Sequence, residues 1–326
     1  MVTVLFLASF CVNGCKGQKP FGNRYLKLVK VIPLPGVRGR IDHMDVDVSN
    51  RVVYLSALGN NTLEVIDIRK GSIIHTIKDL KEPQGVVFIP RTHEIFVANG
   101  GDGSCYFYNA ATFEKTGTVQ LSSDADNVRY DSFTNKIYTG YGNGGIAEID
   151  AVSHRQTAGV LLPVHPESFQ FAGDSIFVNL PDAGMLAVLR QSQLRLLAKW
   201  PLGFSDNFPM AVDATDHRLF VGCWSPARLL VMRTDTLQLI GSYPMIRDAD
   251  DLYYDPADQN VYVSGGGGAV NIFHQLDPDH YRQIASIPTR SGARTSLLVP
   301  DLHLFLVAER ASGSRDAQVL VYNTGD

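Results

Sequence analysis

An aromatic residue recurs inside a short β-type run seven times along the chain: Tyr54 in "RVVYLSA", Phe96 in "HEIFVAN", Tyr138 in "NKIYTGY", Phe177 in "DSIFVNL", Phe220 in "HRLFVGC", Tyr262 in "QNVYVSG" and Phe305 in "LHLFLVA". The steps between them are 42, 42, 39, 43, 42 and 43 residues. So even a period, carried by alternating β-branched and aromatic residues bounded by Gly, Asn and Asp, is the signature of a propeller. In that architecture each four-stranded unit buries its faces only against its neighbours. No segment shows a helical period. The predicted fold is all-β: a seven-bladed β-propeller of four-stranded antiparallel blades.

Each copy parses in the same way. An inner strand ("HMDVDV", "GVVFIP", "NVRYDS", "SFQFAG", "MAVDAT", "LYYDPA", "TSLLVP") turns into the aromatic strand, which leads through a Gly/Asn turn to a third strand and then to an outer one. The seventh copy stops after three strands, with "AQVLVYNTGD". The orphan strand "YLKLVKVIPL", Tyr25 to Leu34, is expected to pair beside Gln318 to Tyr322 and close the ring, which removes an open sheet edge. The chain length of 326 residues would allow two domains, but the repeat favours one domain over residues 21–326 behind a leader at 1–20. The ring is expected to be a monomer.

The leader, "MVTVLFLASFCVNGCKGQKP", is an apolar run of signal-peptide length rather than a membrane span, although it lacks a basic start. Export to the periplasm or beyond follows, and "VNGC" resembles a lipoprotein box that would anchor the chain at Cys15. A frayed apolar tail is the rival reading. Two of the four cysteines lie in this leader and the others, Cys105 and Cys223, sit in apolar strand patterns, so there is no disulfide framework, zinc ribbon or covalent haem motif. A net charge of −4 without a Lys/Arg run gives no field to hold nucleic acid.

Local motifs read as turns. "NGGDG", Asn99 to Gly103, occupies the hairpin position that "LGNN", "YGNGG" and "SGGGG" fill in other blades, and a lone Asp102 there does not make a calcium loop. Asp47, Asp131, Asp213 and Asp255 each stand seven residues before the blade aromatic, where a side chain caps its own turn.

The stretches "YLSALGNNTLEVIDIRKGSIIHTI" and "FVANGGDGSCYFYNAATFEKTGTV" resemble the YVTN-type repeat of the YncE-like exported propellers, over about residues 25 to 323. The resemblance is specific for fold. For function it implies only a range: proteins of unknown role, surface-layer proteins and, in the wider propeller group, phosphogluconolactonases, gluconolactonases and paraoxonase-like calcium lactonases.

Chemistry in such a ring is expected where the inner strands begin, because those ends converge on one channel. Aligning the copies on the aromatic brings together "RIDHM", "EPQGV", "DADNV", "HPESF", "DNFPM", "DADDL" and "GARTS". These segments form either a solvated polar rim or a composite pocket. As a pocket they offer Asp126, Asn127, Glu167, Asn207 and Asp250 as oxygen ligands for a divalent cation, calcium before zinc, which would prefer His43 and His165 with one acid. A salt bridge from Arg294 to Asp250 or Asp251 would neutralise the charge without a metal. His43 or His165 would take a proton from water, with Arg294 adding positive charge and Asp42, Gln84, Phe208 and Asp251 contacting the substrate. The leading functional expectation is metal-assisted opening of a sugar lactone or acyl-homoserine lactone; the alternative is a non-catalytic propeller that binds a ligand or protein, for which an apolar patch at Phe208, Pro209 and Met210 would speak. No GxSxG elbow, Walker loop or Rossmann loop is present, and two tryptophans are too few for the Trp-rich quinoprotein type.

Overall fold

The computed structural model describes residues 25–325. The leader and Cys15 lie outside them. Seven four-stranded antiparallel sheets follow one another, and six are built from consecutive strands. In blade one, for example, Met44–Asp47, Val52–Ala57, Thr62–Asp67 and Ser72–Ile77 lie side by side in that order. Among the described residues, regular secondary structure other than strand is confined to 3-10 turns of three residues. Among the described residues no helix is long and apolar enough to cross a membrane.

The seventh sheet joins the two ends of the chain. Its strands are Ser296–Val299, Leu304–Glu309, Ala317–Asn323 and, outermost, Lys27–Leu34. The last pair runs antiparallel from Lys27 opposite Asn323 to Leu34 opposite Ala317. The expected closure is therefore present, and it leaves blade seven with the same four strands as the rest.

The reason the repeat closes is visible in the aromatic strands. Glu94–Asn99 is buried along its whole length, and its alternate residues serve two different cores. Ile95 and Val97 join Tyr54 and Leu63 of blade one, whereas Phe96 and Ala98 join Ile137 and Ala147 of blade three. Because the side-chain period of a strand is two, a blade with apolar residues at every position must be sandwiched. Seven apolar clusters result, one at each blade junction. All seven repeat aromatics are at most 2% exposed.

The turn readings hold. Asp47 accepts from the Asn50 N–H at 3.0 Å, Asp131 from Phe133 at 2.9 Å, Asp213 from Thr215 at 3.0 Å and Asp255 from Ala257 at 3.0 Å. Asp102 accepts from both the backbone N–H and the hydroxyl of Ser104 in its own hairpin. Cys105 and Cys223 are buried thiols.

Ile32, fully buried in the closing strand, sits in the core shared by blades seven and one with Leu34, Val53 and Val319. Ile32→Ala should lower unfolding free energy by about 2–5 kcal/mol, the usual cost of emptying a packed aliphatic site. Urea denaturation measures this; a loss below about 0.5 kcal/mol, the range of an exposed surface change, would show that the strand does not close the ring.

Candidate metal-binding site on the channel axis

The segments that enter the inner strands deliver polar side chains to one end of the channel. Asp42 and His43 precede Met44–Asp47, Asp126 and Asn127 precede Val128–Asp131, and His165 and Glu167 precede Phe169–Ala172. Asp250 and Asp251 lie at a register shift in the inner strand Ala249–Asp255, a bulge that re-aims side chains. A cavity of about 30 Å³ is lined by Asp42, His43, Asp126, Asn127, Glu167, Asp250 and Asp251, among others, and has room for a water or an ion. Backbones approach closely here. A Cβ on Gly85 would stand 2.1 Å from the Asp126 carbonyl oxygen, so only glycine lets blade two's inner strand lie against this segment.

Asp126 is the centre of the arrangement. Its Oδ1 lies 3.7 Å from His43 Nε2, and its Oδ2 lies 3.9 Å from His165 Nε2. Asp42 Oδ1 is 3.6 Å from the same His43 nitrogen. Two sets of donor atoms thus fall within 4.8 Å of one another, Asp42 with His43 and Asp126, and Asp126 with His165 and Glu167.

The outer contacts orient these donors. Arg40 Nη2 holds the second oxygen of Asp42 at 2.8 Å. His165 Nδ1 lies 2.6 Å from the Gly142 carbonyl, an acceptor that fixes the proton on Nδ1. Asp251 Oδ1 stands 3.8 Å from His43 Nδ1, while its Oδ2 accepts from the Ser296 N–H at 2.7 Å. Asn127 donates to Glu167 Oε2 at 3.4 Å.

Crowded carboxylates in a dry site resist ionisation, and Glu167 and Asp251 follow that rule. Burial, with Asp126 and Asp250 adding to it, raises Glu167 well above the usual carboxylate range. Burial also pushes Asp251 up to about 7, against the pull of His43. Asp126 goes the other way: burial would raise it, but both histidines and Arg40 hold it below its ordinary value. Burial disfavours charge on His165, yet Asp126 and the Gly142 carbonyl outweigh it and push the imidazole up to about 9.

Other expected site residues are placed differently. Arg294 grips Asp250 at 3.0 Å and Asp248 at 2.9 Å, so the neutralising salt bridge forms and takes Asp250 out of the donor sets. Asn207 donates to Asn179 Oδ1 and the Met185 carbonyl, both at 2.9 Å, between blades four and five. Gln84 donates to Asp124 at 3.2 Å, beside His165. Phe208 stacks on Trp224 with ring centres 4.1 Å apart and lines the cavity with Pro209 and Met210, which are buried and form no exposed apolar patch.

The sequence reading passed over Arg40, Arg129 and Tyr253. With Asp45 and Gln170, the last two line a second cavity of about 480 Å³ further along the channel, which shares His43, Arg129, Gln170, Asp251 and Tyr253 with the first. Strand alternation was the available signal: Asp45, Arg129, Gln170 and Tyr253 hold equivalent inward positions one residue past Met44, Val128, Phe169 and Leu252.

No family model and no curated protein matches the chain. A chain in the crystal structure of a mitotic checkpoint complex is similar in structure, with a TM-score of 0.76, 13% sequence identity and 99% of each chain covered. At that identity the likeness is one of fold: seven blades around a channel.

The raised His165 value makes a pH prediction. Its folded value of about 9 lies above the ordinary 6.5, so its contribution to stability is complete below about pH 6.5 and is lost as pH rises through 9. In chelator-treated protein, His165→Gln should remove up to about 1.4 kcal/mol per pH unit of this decline. Urea midpoints from pH 6 to 9.5 measure it; parallel curves for the two proteins would contradict the placement.

Proposed function

We propose that this propeller is a metal-dependent hydrolase that opens a lactone or related ester in its central channel. The observation that carries the reading is the donor set around Asp126: imidazole and carboxylate ligands together, with Asp42, His165 and Glu167 each oriented by an outer partner. That mixture suits zinc or another borderline divalent ion better than calcium, which takes oxygen ligands. The calcium set expected from sequence keeps Asp126, Asn127 and Glu167 at the site, while Asp250 is held by Arg294 and Asn207 by Asn179. The residues therefore fit a metal, with a shift in its identity.

Such an ion supplies polarisation of an ester carbonyl and acidification of a bound water. The chain supplies the rest. The 480 Å³ cavity is large enough for a small lactone, and it meets the donor cluster at His43 and Asp251. Asp251 has one oxygen anchored on Ser296, and its Oδ1 makes no hydrogen bond among the described residues, so it is placed to accept a proton from an attacking water. His43 and His165 then act as ligands rather than as bases, because each turns Nε2 toward Asp126. Arg294 acts at one remove, by keeping Asp250 paired.

The setting we infer is that of the exported YVTN-type propellers, on the strength of the repeat and the apolar leader. A scaffold reading, in which the same mouth grips a partner protein, has in its favour that the structural neighbour was solved within a complex.

The test uses purified full-length protein. Chelation should abolish hydrolysis of a lactone and aryl-ester panel, zinc or cobalt should restore it, and calcium should not. Asp251→Asn should lower kcat/KM by about 10²–10⁴-fold while metal content is unchanged, the range for loss of a general base. No turnover of any panel member by the metal-loaded protein, or turnover indifferent to chelator, would defeat the reading.

A further inference from the structure

We infer that the axial site holds two metal ions rather than one, with Asp126 as the carboxylate that bridges them. This rests on the metal reading above and extends it.

The two donor sets share a single residue, and they share it through different atoms. Asp126 offers Oδ1 on the side of His43 and Oδ2 on the side of His165. A carboxylate that shows a different oxygen to each of two imidazoles, each with its own terminal acid beside it, has the arrangement of a bridge. The two flanks are matched in kind, with Asp42 and His43 on one and His165 and Glu167 on the other, so each ion would find one imidazole, one terminal carboxylate and one bridging oxygen.

Outer contacts steady a donor on each flank. His165 presents Nε2 to the bridge while its Nδ1 is held at the Gly142 carbonyl, and His43 presents Nε2 with its Nδ1 3.8 Å from Asp251, too far for a hydrogen bond. A ring whose far nitrogen has an oxygen partner, as His165 has, is oriented for ligation through the near one. Asp42 is steadied by Arg40 and Glu167 by Asn127.

A second and independent observation marks the space between the flanks as built for guests. Asp126 is 6% exposed and Asn127 2% exposed, yet Asp126 Oδ1 and Asn127 Oδ1 have no hydrogen-bond partner among the described residues. Buried acceptors left open are costly unless something fills the place. Both line the small cavity at the channel axis.

Manganese is the probe. Chelated protein titrated with Mn2+ should take up two equivalents, measured by elemental analysis after gel filtration. Its electron paramagnetic resonance spectrum should show the dense hyperfine pattern of an exchange-coupled pair. Asp42→Asn and Glu167→Gln, one on each flank, should each drop the stoichiometry from two to one and return the six-line spectrum of an isolated ion. Asp126→Asn should lose the coupling whether or not some metal stays, and circular dichroism separates that result from unfolding. One equivalent in the wild-type protein would overturn the pair while leaving a single-metal hydrolase standing. Two uncoupled equivalents would overturn the bridge, and none would overturn both readings.

Discussion

Two-sided burial of each aromatic strand governs the molecule. A strand such as Glu94–Asn99 has no polar face to offer water, so its sheet must be covered on both sides by other sheets. Repeated seven times, that demand has two solutions: an open stack with exposed end faces, or a ring. The pairing of Lys27–Leu34 with Ala317–Asn323 selects the ring and leaves neither end blade uncovered. Closure is thus a consequence of hydrophobic burial, secured by one ladder of backbone hydrogen bonds.

The ring in turn creates the site. Residues 42, 126 and 167 are far apart in sequence and belong to blades one, three and four, yet closure brings their loops to a common axis. The apolar cores at the blade junctions hold the strands rigid, and charged groups can then be set at distances that no single loop would maintain. Local electrostatics follow: carboxylates crowd together in a poorly solvated space, so Glu167 and Asp251 resist ionisation while Asp126, flanked by two imidazoles, stays charged. Asp42, Asp126 and Asn127 are each at most 6% exposed, so this end of the channel is not merely a solvated loop face.

Much of this was legible in the sequence because repetition converts position into geometry. The blade number, the closing strand and the turn-capping roles of Asp47 and its three equivalents all follow from period and offset. Asp42, His43, Asp126, Asn127, Glu167, Asp250 and Asp251 were brought to one cavity by the same alignment. Asn207 was not, and the cause is local: the inner strand of blade five slips register between Asn207 and Met210, so a fixed offset from Phe220 misjudges which way the side chain turns. Pairings were illegible for a different reason. Whether Arg294 neutralises Asp250, or whether a histidine faces a carboxylate with Nε2 or Nδ1, depends on rotamers and on second partners such as the Gly142 carbonyl, which a sequence pattern does not encode.

The most direct measurement is anomalous diffraction from crystals of the full chain grown with zinc or cobalt, with data collected on both sides of the metal absorption edge. Density is expected on the channel axis, within coordinating distance of both Asp126 and the Nε2 atoms of His43 and His165. Peaks confined to outer-surface histidines, with ordered water alone beside Asp126, would contradict an axial metal centre and leave the cluster as a network of ion pairs.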